Sequence, residues 1–267
     1  VTRENPDNLL HFSNLKHIAV SPLNYKDKLD NPAGDTRSYL LGRAAHRCWL
    51  LGQATPIWDK GKRDLRNPEY AAAVATFGEK LPNAAEAKLI DGMVNGLERH
   101  PEASRIKRAC DEFEKPLVWT RDGVECAGHL DMRGPRILAE LKSSQAADMH
   151  IARFQWLALK KYHYTEQLAW YAVGDGMAEP VLEGPDDYPI HEFDWPESWI
   201  IAVESTRPHD VVCHRVSPLQ LDKADSNIRE WLATWRQCQA VNLWPGRSWD
   251  PVELDAEIEV GGMDNED

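Results

Sequence analysis

The chain reads as an α/β protein, with a central mixed sheet flanked by helices and a mainly helical addition in front of it. Three observations predict this. Residues 1–115 carry helix caps and apolar stripes of helical period. From Pro116 the periodicity falls to two, over three short runs separated by turn residues. Helical patterns then return on both sides of a further strand pair, which places helices on the faces of a sheet.

Taken in order, Ser13 is placed to cap a helix over 14–20, and Ser21-Pro22 opens a second through about Leu29, with proline at the first helical position. Asn31-Pro-Ala-Gly34 is a turn. Thr36 opens a helix to about Gly52, with Leu40, Leu41, Ala44, Ala45, Cys48 and Leu51 as its apolar stripe. After a polar connection over 55–67 come helices near 68–77 and 84–99, the latter begun by Asn83 and Glu86 in the spacing of a capping box. Runs at 117–120, 124–132 and 137–143, separated by Arg121-Asp-Gly123 and Gly134-Pro135, form a three-strand meander. Helices over 146–161 and 165–173 follow, then strands at 199–204 and 210–216. Ser217-Pro218 starts a last long helix to about Val241, with Trp231 and Trp235 one turn apart and read as core. No repeats or low-complexity linkers interrupt this order. The expected organisation is one domain over 1–249 (a mainly helical region over 1–115, a sheet and helices over 116–216, a terminal helix over 217–249) and an acidic tail over 250–267.

Composition bounds the function. A hydrophobic content of 42% with 11 Trp supplies a sizeable core, and 28% charged residues mark a soluble protein. No apolar run reaches membrane-spanning length, and Val1-Thr-Arg-Glu-Asn-Pro6 lacks the shape of a signal peptide, so a cytoplasmic protein is expected. Cys48, Cys110, Cys126, Cys213 and Cys238 are scattered without a CxxC, against a disulfide framework or zinc site. The net charge of −12 opposes open-surface DNA binding. Some of it lies in residues 250–267, which hold eight acidic residues and no Lys or Arg and read as a solvated tail, flexible at Gly261-Gly262.

The hairpin Gly128-His-Leu-Asp131 to Glu140-Leu-Lys142 carries the chemistry. Strand alternation puts Glu140 and Lys142 on one face and Leu141 toward the core. Two carboxylates and an ammonium at one place suit a Mg²⁺ site for phosphodiester hydrolysis, the alternative being an edge-strand salt bridge. A second Glu-x-Lys, Glu86-Ala-Lys88, sits in a helix and reads as a solvated surface feature. His46 follows the small residues Gly42, Ala44 and Ala45, which permit a close backbone approach. Gln167 and Tyr171 lie one helical turn apart on one face.

The order His46, Asp131, Glu140-x-Lys142 and Gln167-xxx-Tyr171 resembles the PD-(D/E)XK nuclease superfamily, with its restriction-endonuclease-like core, in the RecB-like and lambda-exonuclease-like branch. Ser13-Asn-Leu-Lys16-His-Ile18, Ser21-Pro-Leu-Asn-Tyr25 and Leu41-Gly-Arg-Ala-Ala-His46 look like the opening of RecE-type exonuclease VIII proteins. The resemblance spans residues 12–216, with Leu130 where the family name has proline. It implies a Mg²⁺-dependent double-stranded DNA exonuclease of 5′ to 3′ direction, with Mn²⁺ able to substitute and no iron–sulfur cluster. Asp131, Glu140, His46 and the Leu141 carbonyl would hold metal. Lys142 would act on the attacking water or on phosphorane charge, Gln167 and Tyr171 would orient the phosphate or Lys142, and Ser13 and Lys16 would hold a 5′-phosphate. It further implies a trimeric or tetrameric ring around DNA, a single-strand annealing partner of RecT or Red-beta type, and a bacterial or phage origin. The other readings are a RecB-like nuclease with a cluster, which Cys213 and Cys238 alone downstream disfavour, a restriction-type endonuclease, and a non-catalytic DNA-end-binding scaffold.

Overall fold

Polar caps and prolines begin most helices of the computed structural model, which describes residues 9–247 other than 33, 35, 146, 147 and 181–192. Ser21, Thr36, Asn67, Asn83 and Ser217 each accept a backbone N–H from the first helical turn, starting α2 (Pro22–Asp30), α3 (Arg37–Leu51), α4 (Pro68–Phe77), α5 (Ala84–Arg99) and α9 (Pro218–Val241). The remaining helices are α1 (Phe12–Leu15), α6 (Pro101–Arg108), α7 (Ile151–Trp156), which runs into one π turn over Leu157–Lys161, and α8 (Tyr164–Gly174).

The strands are β1 (Leu10–His11), β2 (Glu112–Arg121), β3 (Val124–Arg133), β4 (Ile137–Ser144), β5 (Glu179–Pro180), β6 (Phe193–Asp194), β7 (Glu197–Glu204) and β8 (Val211–Val216). β5 and β6 form a separate two-stranded ribbon. In the main sheet, β4 and β7 run parallel over eight residue pairs, and β8 closes the edge antiparallel to β7. β2 pairs antiparallel with β3 from Glu112 to Arg121, interrupted at Glu114, between Phe113↔Met132 and Lys115↔Leu130. The opposite edge of β3 is shared: β1 takes Cys126 and Ala127, and β4 takes Met132 and Arg133.

Alternation along β4 and β7 sends side chains to two cores. Leu138, Ile200 and Ala202 join Leu168, Ala169, Trp170 and Ile228 on the face covered by α8 and α9. Ile137, Ala139, Leu141, Trp199, Ile201 and Val203 meet Trp49, Met93, Leu97 and Ile106 on the face covered by α3, α5 and α6. The result is a helix–sheet–helix sandwich, the predicted α/β class with its N-terminal helical addition. Trp231 and Trp235 pack against the first core.

Several local expectations change. The chain enters the sheet at β1, so the first helix begins at Phe12 with His11, not Ser13, at its N-cap position and no side-chain cap, and gives way to a 3₁₀ turn over Lys16–Ala19. Leu51 is exposed and Trp49 and Leu50 are buried instead, because α3 packs on both α5 and the sheet and its last turn places those two residues in the core. α6 is an additional helix. α7 begins at Ile151, later than expected, and residues 146, 147 and 250–267 lie outside the described residues. Glu86 is buried, not solvated: Arg63 and Arg37 donate to its carboxylate, which also completes the capping box with Asn83.

A buried ion cluster ties the β2–β3 hairpin to α9. Asp225, wholly buried, accepts from Arg121 Nη2 at 2.5 Å and from Arg229 Nε at 2.7 Å. Asp225→Ala would leave the buried Arg121 uncompensated and should cost about 3–5 kcal/mol. Arg229→Ala removes a half-exposed partner and should cost about 1 kcal/mol or less. Urea unfolding of the two variants checks this, and equal losses would contradict it.

Candidate metal centre and catalytic face

The shared edge of β3 creates the site. Between the rungs to β1 and to β4, residues 128–131 have no ladder partner on that side. Buried N–H and C=O groups must still be paired, and side chains do it. Asp131 Oδ2 accepts the Leu141 N–H at 2.8 Å, and the Asp131 N–H donates to Glu140 Oε1 at 3.4 Å. In an extended strand the N–H and C=O of one residue point the same way. The Leu141 carbonyl therefore also faces the gap, where His46 Nε2–H donates to it at 2.9 Å.

His46 reaches this point because Gly42, one turn earlier on α3, lets the helix lie close to β4. A Cβ at Gly42 would stand 2.9 Å from Ser143 Oγ. The other ring nitrogen of His46, Nδ1, lies 3.3 Å from Glu114 Oε1 and 3.5 Å from Asp131 Oδ1. Both nitrogens face acceptors, so the ring carries two protons. Burial opposes that charge, but the Asp131 carboxylate, reinforced by Glu114, outweighs it and holds the ring pKa up at about 10. Burial likewise pushes Glu114 up, and the hydrogen bonds from His129 and His46 overcome it, leaving the carboxyl at about 2. Against its own burial, Asp131 is held below the usual range, chiefly by His46.

On the α8 face, Glu140 and Lys142 point the same way, as alternation predicts. Lys142 Nζ donates to Glu140 Oε2 at 2.8 Å and to Gln167 Oε1 at 3.1 Å, and Gln167 Nε2 donates to the Tyr171 hydroxyl at 3.1 Å. β4 lies inside the sheet, so this is no edge-strand pair. Burial, then Asp131, pushes Glu140 up to about 7 against the pull of Lys142. Burial opposes the Lys142 charge, and Glu140 and Asp131 together keep it above the usual lysine range. Gly128 makes room for this row, since a Cβ there would collide with the Tyr171 ring.

His46, Asp131, Glu140, the Leu141 carbonyl, Lys142, Gln167 and Tyr171 are thus drawn together from α3, β3, β4 and α8. Glu114 joins them and was not anticipated. It sits opposite Asp131 on β2 with φ of +51°, a left-handed value rare for a non-glycine strand residue. Its second oxygen lies 3.0 Å from His129 Nδ1. The only trace in the sequence is the run Glu112-Phe-Glu114-Lys115, in which nothing marks one acid over the other. Lys16 is close enough to Lys142 for that charge, after burial, to hold its ammonium below the usual lysine range. Among the described residues no carboxylate pairs with it. Ser13 is exposed. α1 does not begin at Ser13, and Lys16 follows its last residue, so a helix N-terminus gives neither residue an anion site.

One ligand atom from each of His46, Glu114 and Asp131 falls within 4.8 Å of the others. Two carboxylates, an imidazole and, beside them, a carbonyl are donors that suit a hard divalent cation. To serve as a ligand His46 would give up a proton, so cation binding there would be coupled to proton release.

A family model described as "PDDEXK-like domain of unknown function (DUF3799)" matches residues 11–250. The chain belongs to this family. No curated protein matches it. Among solved structures, the crystal structure of a "Putative exonuclease" from Eubacterium rectale is similar at 12% identity and a TM-score of 0.61, covering 92% of this chain and 87% of that one. It shares the fold. The structure of SSO0001 covers 74% of this chain and 87% of that one at 13% identity, but its TM-score of 0.28 carries no argument. The DUF3799 chain therefore has a PD-(D/E)XK-like nuclease fold with a candidate metal-binding triad. No described helix is long and apolar enough to cross a membrane.

Calorimetric titration with Mn²⁺ should detect a site that Asp131→Asn abolishes and Glu114→Gln weakens by about tenfold or more. Unchanged affinity in Glu114→Gln would remove that residue from the centre. Gly128→Ala should displace the Tyr171 ring and lower stability by about 1–3 kcal/mol, measured by thermal unfolding.

Proposed function

We propose that this protein is a Mg²⁺-dependent exonuclease of RecE type, acting on double-stranded DNA ends in the 5′ to 3′ direction and leaving 3′ single-stranded tails. The observation that carries the reading is Lys142, held by Glu140 and Gln167 beside the His46–Glu114–Asp131 cluster. The polarity, a trimeric or tetrameric ring and an annealing partner of RecT or Red-beta type follow from the resemblance, while a cytoplasmic setting rests on the scattered cysteines and a single domain over 1–249 on the absence of repeats and linkers in the sequence.

In this reading Asp131, Glu140, the Leu141 carbonyl and His46, once it has lost a proton, would hold the cation, with Glu114 completing the set. The cation supplies Lewis-acid polarisation of the scissile phosphate. The Lys142 ammonium faces the same phosphate and stabilises the negative charge that builds on its oxygens. Gln167 fixes Lys142, and the Tyr171 hydroxyl fixes Gln167, so these two act through positioning. Lys16, without a carboxylate partner among the described residues, is the group best suited to hold a 5′-phosphate, with Ser13 nearby in the chain.

With Mg²⁺ the protein should degrade linear duplex and spare closed circles, EDTA should stop it, and Lys142→Ala should lose about 10²–10⁴ in rate. Wild type and Lys142→Ala equally inert in Mg²⁺ and Mn²⁺ would overturn the enzyme reading, and cutting of circles would make it an endonuclease. A 5′-phosphorylated end should be preferred to a 5′-hydroxyl end, and Lys16→Ala should shrink that preference by about tenfold or more. Release of label from the 3′ end would overturn the polarity.

A further inference from the structure

Four aromatic rings form a column beside Lys142. The His214 ring of β8 lies nearly flat on Phe154, with centroids 4.5 Å apart and planes 8° apart. Phe154 meets Tyr164 at 6.4 Å and 36°, and Tyr164 stacks on Tyr162 at 5.3 Å and 22°. The inner end is anchored, since Phe154 belongs to the core. Tyr164 and Tyr162, at the outer end, are half-buried.

The local backbone makes this stack. The π turn over Leu157–Lys161 ends at Tyr162, and His163 takes a left-handed φ of +56° before α8 begins at Tyr164. A non-glycine residue in that region is uncommon, and such positions cluster at binding sites. Cations lie over the two outer rings. Lys142 Nζ stands 5.0 Å from the Tyr164 ring centre and Lys161 Nζ 5.2 Å from that of Tyr162. Lys160 and Lys161 are exposed, and among the described residues neither meets a carboxylate. Tyr39, exposed on α3, lies within electrostatic reach of the Tyr164 hydroxyl.

Aromatic rings that reach the surface, close to lysines such as Lys160 and Lys161 that meet no carboxylate among the described residues, are how single-stranded nucleic acid is held without sequence preference. We propose that Tyr162 and Tyr164 form a stacking shelf for an unpaired DNA base next to the scissile phosphate, with Lys160 and Lys161 taking phosphates of that strand. A base laid against this end continues the column that begins at His214. The inference rests on the nuclease reading and adds that the end enters the site frayed rather than paired.

The test uses the full chain in EDTA, which prevents cleavage. The DNA carries 2-aminopurine in a short unpaired 5′ overhang, and a blunt duplex is the reference. Wild type should quench the 2-aminopurine on binding, and Tyr162→Phe, which keeps the ring, should match it. Tyr162→Leu, which keeps apolar bulk without a π face, should lose the quenching and bind the overhang about tenfold more weakly, with blunt-duplex affinity unchanged. Thermal unfolding monitors the fold of each variant. Absence of quenching in wild type, or full quenching and affinity in Tyr162→Leu, would overturn the shelf. The two readings fail separately. Cleavage of linear duplex in Mg²⁺ without quenching removes the shelf and keeps the nuclease. Ring-dependent quenching by a protein that cleaves nothing keeps the shelf and removes the nuclease.

Discussion

A strand has two edges, and β3 must serve three neighbours. β2 runs along one edge, so β1 and β4 divide the other, and the stretch from Gly128 to Asp131 is left between them. Unpaired backbone groups inside a protein are costly, which obliges side chains to complete the ladder. Asp131 and Glu140 do this for the N–H groups of Leu141 and Asp131, and His46 does it for the Leu141 carbonyl. The carboxylates converge because the sheet splits there. Their convergence is also what makes the place attractive to a cation.

Charge balance then sets the rest of the centre. Glu114, Asp131 and Glu140 bring three carboxyl groups into a confined volume, against the His46 imidazolium and the Lys142 ammonium. Mutual repulsion and burial raise Glu140, while the histidines keep Glu114 and Asp131 ionised. A divalent cation relieves the same repulsion that His46 now offsets. The helices hold both sides of this cluster: α3 lies close on β4 because residue 42 has no side chain, and Tyr171 of α8 lies on β3 because residue 128 has none.

Much of the framework was legible from local signals. Caps such as Thr36, Asn83 with Glu86, and Ser217-Pro218 act within one helical turn, so they read correctly. The alternation of Ile137–Lys142 likewise told which side chains share a face, and the pairing of Lys142 with Glu140 agrees with it. Readings failed where the deciding partner is distant in the chain. Glu86 looked solvated beside Lys88, but its partners Arg63 and Arg37 arrive from 23 and 49 residues away. Ser13 looked like a cap until β1 paired with β3 and moved the helix start to Phe12.

By itself, then, the sequence determined the class of fold, most helix starts, and the residue types of the hairpin from Asp131 to Lys142, because periodicity and capping are short-range. Only the tertiary structure decided that Glu114 stands opposite Asp131, that Lys16 lies near Lys142, and that Tyr162 and Tyr164 finish a ring column begun at His214. These depend on how the edge of β3 is divided and on two left-handed residues, Glu114 and His163.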